Sequence, residues 1–323
     1  MDSSIDLSRY IQRRHFRSYE RDMARSTYGY GVDLRRTRWL TTSVVGQAPL
    51  RALEHAWFAL ADTLMEDELR VPDRPSDIPL LSEVVEIARL LRTAPPAIRI
   101  LKRRSGGPRE WGIVTPLGDP RSSNEWLVLD LEALSRLPHE ERAFLLGVGL
   151  GHLHCGHGAL FLAHLVGHRR GGHRLLRGLL RPWTRVAAFS ADRAGLLASG
   201  DLEACLRALE LSATLAPSWS PQFPRVESRR LALQEFAVST VAARFRTRRL
   251  RESHDLNLEE DLSALAEPPP TDETSDETSE EDPREDSSET IADGADPLND
   301  GVPDDAWTLT RCDHRLTKRL RLI

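Results

Sequence analysis

The run FLLGVGLGHLHCGHGALFLAHL, Phe144 to Leu165, constrains the fold more than any other stretch of this chain. Its apolar residues require a helix packed in a core, yet it carries four of the chain's eleven histidines and five glycines. Such interruptions do not suit a bilayer span of ~20 apolar residues. A histidine on an apolar helix is ordinarily a hydrogen-bonded core residue, because a buried polar group without a partner is costly. Other elements must therefore surround this helix.

Those elements are legible by periodicity. Leu50, Leu53, Ala56, Trp57, Leu60, Ala61 and Leu64 recur at helical spacing. LLSEVVEIARLLRTA forms a second helix that stops at Pro95-Pro96. AIRILKRR, EWGIVTP and EWLVLDL are short extended runs rich in Ile, Val and Trp, separated by Gly- and Pro-containing turns, and they predict a small antiparallel sheet. The apolar helix follows, with Glu140 and Glu141 placed favourably near its N-terminus. VAAFSADRAGLLASGDLEACLRALELSATLAP predicts further helix, with a turn at Ser199-Gly200. The fold class is α+β, mainly helical, divided into an N-terminal helical region (1–95), a core (96–265), a linker (266–305) and a C-terminal segment (306–323) expected to dock back on the core.

The linker is a solvated tether by composition. Between Glu267 and Asp305 sixteen acidic residues face one basic residue, Arg284, so the net charge of −5 conceals a basic remainder. A segment of Pro, Ser, Thr, Asp and Glu buries too little to offset its ordering entropy. The arginines of the remainder are spread over helix faces without a nucleic-acid motif, which argues against nucleic acid as a partner. Three widely spaced cysteines suit a reducing compartment. With no apolar leader near Met1, the expectation is a cytoplasmic protein without membrane attachment.

LGHLHCGHG resembles the end of the H-E-x-x-H helix of the M48 family of zinc metallopeptidases, with His152 as the second histidine. The resemblance extends over most of 97–323. LVLDLEALSRLPHEERAFLLG resembles the lead-in to that helix, and His157 follows His152 by five residues. FSADRAGLLASGDLEACLRAL resembles the family's E-x-x-A-D helix through Asp192. DHRLTKRL resembles its terminal H-P-x-x-x-R segment, retaining His314 and Arg319. The resemblance implies a zincin-like core in which Val148 stands at the first metal ligand, Gly149 at the general base and Ala188 at the third ligand. None of these can bind a metal or move a proton, so His152 is the one retained ligand position and no zinc cofactor is expected.

The implied function is that of a pseudoenzyme, a catalytically inactive peptidase fold that binds a peptide or protein segment in the former substrate groove. Val148, Gly149, His152, His157, Ala188, Asp192, His314 and Arg319 are the groove candidates. The occupant is a partner's extended segment or the chain's own acidic linker. Two alternatives stand beside it: an active zinc metalloendopeptidase with a non-standard site, and an interaction protein working through its acidic segment. If one helix continued through 144–168, His154, His157, His164 and His168 would share an arc about 160° away from His152, leaving it without a histidine partner.

Overall fold

Gly147, Gly149 and Gly151 lie on helix α5 (His139–His154) and let it approach its neighbours on two sides. A Cβ at Gly147 would stand 2.6 Å from Ala198 Cβ, and one at Gly151 would stand 2.5 Å from Ala194 Cβ. Both alanines belong to α7 (His173–Ser199), whose own Gly195 admits Phe144 and Val148 in return. On the opposite face a Cβ at Gly149 would stand 2.5 Å from Val114 Cγ1 and 2.8 Å from Leu127 Cδ1, both on the sheet. The helix is thus clamped between a helix and a sheet at backbone distance, an arrangement open only to glycine.

The computed structural model describes residues 22–102, 110–118, 125–171, 173–249 and 302–322. In chain order these contain α1 (Gly31–Thr42), α2 (Val44–Asp67), β1 (Leu69–Arg70), α3 (Ile78–Leu90), β2 (Ala97–Leu101), β3 (Val114–Leu117), β4 (Trp126–Leu129), α4 (Leu131–Ser135), α5, α6 (Gly158–Arg170), α7, α8 (Leu202–Thr214), α9 (Val226–Ala237), a helical stretch over 240–249 and α10 (Leu309–Arg319). The fold is mainly helical with a small four-stranded sheet. Almost all of the acidic linker and residues 1–21 lie outside the described residues.

The sheet is mixed, which corrects the expectation of an antiparallel one. Its order is β1-β2-β4-β3, and β2 runs parallel to β4 with Ala97 opposite Trp126. Strands β2 and β3 are consecutive in sequence but not neighbours. Since β3 and β4 form an antiparallel pair with β4 inserted on the inside, β4 returns parallel to β2. Strand β3 is left at one edge, and β1, from the N-terminal region, pairs antiparallel with β2 at the other.

Local chemistry sets the helix limits. Gly200, at φ +76°, ends α7 in the left-handed conformation that favours glycine, and the Asp201 carboxylate then caps α8 by accepting from the Glu203 and Ala204 amides. Gly156, at φ +80°, breaks the apolar run between α5 and α6, which meet at 94°. No single helix among the described residues is long and apolar enough to cross a membrane; α5 and α6 meet that test only together, as this bent pair.

Helix α10 lies against the body. Cys312 and Leu316 are buried, and the Asp313 carboxylate accepts from Arg193 Nη1 at 2.7 Å and from the Gly31 amide at 2.9 Å. Just before it, the Trp307 amide donates to Val238 O and the Thr240 amide donates to Trp307 O, each at 2.9 Å.

Candidate functional site

The bend after α5 determines the site. Because the helix stops at His154, His157 does not continue round its face but turns back, and its Nδ1 lies 3.0 Å from His152 Nδ1. The expectation that His157 points away from His152 is corrected, since the shared arc presupposed one continuous helix. Of the other histidines, His154 bonds the Tyr28 hydroxyl, His164 bonds Leu160 O, and His168 is exposed on α6.

A buried hydrogen-bonded chain leads inward from His152. His157 Nε2 lies 3.0 Å from Asp33 Oδ1, the Ser190 hydroxyl donates to Asp33 Oδ2, and the Tyr30 amide donates to Ser190 Oγ at 3.0 Å. Asp33, His157 and Ser190 are wholly inaccessible to solvent. Asp33 comes from α1, within the N-terminal region to which the sequence assigned no role. Its surroundings, GVDLRRTRWL, show no strong amphipathic pattern to reveal a buried carboxylate.

His157 Nε2–H donates to the Asp33 carboxylate, and His157 Nδ1 and His152 Nδ1 share one proton between them. His152 is held well below the usual imidazole range, first by burial and then by the positive charges of His157, where protonated, and Arg229. It is the neutral form that belongs in this site.

His152 lines a cleft of ≈ 240 Å³. One wall is β3 with Val114, Thr115 and Pro116; the floor is α5 with Val148, Gly149 and His152; the far wall is the 216–224 segment between α8 and α9, with Trp219 and Phe223. Phe223 stacks on the His152 ring at 5.2 Å and 20°, while Phe161 meets its edge. Arg229, on α9, also lines the cleft. Its Nε and Nη2 donate to the two oxygens of the buried Asp192 carboxylate, at 2.8 and 2.5 Å.

The sequence candidates thus separate into two places. Val148, Gly149 and His152 line the cleft, His157 and Asp192 stand directly behind it, and Ala188 is buried on α7 away from its lining. His314 is exposed on α10, and Arg319 donates to Glu235 Oε1, so neither contributes to the groove. Asp33, Ser190, Phe223 and Arg229 are the additions that spacing could not supply.

The residues present do not suit zinc. His152 offers one free ring nitrogen, positions 148, 149 and 188 offer no donor, and the Arg229 guanidinium shares the cleft. Among the described residues no group of three or more His, Cys, Asp or Glu could hold a metal ion. Position 149 is also closed sterically. Gly149→Ala is expected to destabilise the protein by about 1–3 kcal/mol through overpacking on the stiff, β-branched Val114. Val114→Ala in the same chain should recover most of that loss, as read from urea unfolding midpoints.

Compared with family models, curated proteins and solved structures, the chain matches none of them.

Proposed function

We propose that the protein is a non-catalytic peptide-binding module, an inactive zincin-like fold of M48 type that holds an extended polypeptide segment in its cleft. The observation that carries this reading is the pairing of the edge strand β3 with a floor of Val148, Gly149 and His152. An edge strand offers unpaired main-chain donors and acceptors, and a segment can add to it without any metal. At positions 148 and 149 of that floor stand valine and glycine, neither of which can move a proton or bind a metal.

Fluorescein-labelled casein, an unstructured polypeptide, tests both halves of the reading. Its anisotropy should rise saturably on titration with the full chain, and it should be recovered uncut after prolonged incubation. Elemental analysis of the purified protein should give far less than one zinc per chain. Stoichiometric zinc that disappears in His152→Ala, together with casein cleavage, would show an active peptidase instead.

A further inference from the structure

A second cavity, at ≈ 420 Å³ larger than the cleft, lies where the chain returns from its acidic linker. Leu196 and Leu202 line it from the end of α7 and the start of α8, Ala242, Ala243 and Phe245 from the helical stretch over 240–249, and Trp307 from the returning segment. The main chain ties two of these sides together. The Trp307 amide donates to Val238 O and the Thr240 amide to Trp307 O, while Ser239 Oγ accepts from the Ala242 amide at the start of the 240–249 stretch. Small residues keep the space open: Ala242 and Ala243 are buried, and a branched side chain at either position would extend into the volume they line.

The charges around this cavity are unequal. Arg249 Nη1 donates to Ala198 O and Ser199 O, closing the end of α7. Arg246, three residues earlier, also lines the cavity, is exposed, and among the described residues makes no hydrogen bond or ion pair. Trp307 carries two further guanidiniums, Arg311 at 4.1 Å and Arg315 at 5.1 Å from its ring centroid. Among the described lining residues Asp305 is the one acid, and it pairs with none of these arginines.

An apolar space with surplus positive charge at its rim is complementary to an aliphatic chain that ends in an anion. A guanidinium whose donors are unspent matches a carboxylate, which can accept two of them at once. A bare hydrocarbon would leave Arg246 unused, and an alkylammonium would bring its charge among guanidiniums. We propose that this cavity binds a medium-chain aliphatic carboxylate, with its chain among Leu196, Leu202, Ala243 and Trp307 and its head at Arg246. The ligand would touch α7, α8, the 240–249 stretch and the returning segment together, so its binding stabilises the docked C-terminal segment. The site is separate from the cleft and does not depend on the peptide-binding reading.

Isothermal titration calorimetry of the full chain at pH 8 tests this with octanoate, hexanoate and octylamine, each below its micellar concentration. Octanoate should bind saturably at one per chain and at least about tenfold more tightly than octylamine. Hexanoate should be weaker by roughly tenfold, since each methylene removed from water contributes about fourfold. Arg246→Gln, an exposed change that leaves the fold alone, should weaken octanoate by about tenfold and reduce its lead over octylamine. Ala243→Leu fills the space and should abolish binding; if that variant does not fold, Arg246→Gln and the chain-length series decide. Octanoate should also raise the Tm of the wild-type chain. Absence of saturable octanoate binding, octylamine binding as tightly as octanoate, or an Arg246→Gln chain with unchanged octanoate affinity would each overturn the proposal.

Discussion

Asp192→Ala is expected to lower stability by about 3–5 kcal/mol, the cost of leaving the Arg229 guanidinium buried without its carboxylate. For a chain of this size that amounts to a fall in Tm of roughly 10 °C. Both side chains are below one-tenth exposed and joined by two parallel hydrogen bonds, so neither can relax into water. The pair joins α7 to α9 behind the cleft, and losing it should loosen the wall that Arg229 forms. Asp192→Leu combined with Arg229→Met should lose far less than the sum of the single changes, because an apolar pair removes both desolvation costs together. Thermal unfolding of the two single variants and the double variant measures this. Additive losses would mean that the two side chains do not interact.

Ending the chain at residue 266 should produce a loss of similar size, upwards of about 4 kcal/mol. Leu316 alone contributes about 1.5–3 kcal/mol by burial. The cut also strips Asp313 from Arg193, a guanidinium only 3% exposed, and removes the main-chain bridge between Trp307 and residues 238–240. Deleting only 267–300 keeps all these contacts and changes loop-closure entropy slowly with length, so its Tm should stay close to that of the full chain. Differential scanning calorimetry of the three chains separates the cases. Equal Tm for the full chain and the one ending at 266 would show that α10 adds nothing to stability.

The sequence revealed elements better than their meetings. Helical spacing around Trp57, the extended runs at Ile98, Val114 and Leu127 and the glycine stop at Gly200 are local signals, and local sterics produced the corresponding elements. Sheet order was not legible, because whether β4 lies beside β2 or beyond β3 depends on contacts distant in sequence. The site shows the same division. His152 announced itself through the spacing of its motif, but its partnership with His157 depended on the left-handed turn at Gly156, which a periodicity count passes over. Asp33 is 124 residues from His157, and Arg229 is 37 from Asp192. A buried carboxylate and a buried guanidinium look in sequence like any other surface charge.

The clamp on α5 imposes an order on change. No larger residue can enter position 149 while Val114 and Leu127 stand where its Cβ would go, so the sheet must yield before the helix can carry a side chain there. The first of those steps would open a void without supplying any chemistry. Packing of this kind couples positions: a change at one depends on a change elsewhere that has no benefit of its own. Refinement of this cleft is therefore freer on the wall formed by residues 216–224 than on the helix that bears its histidine.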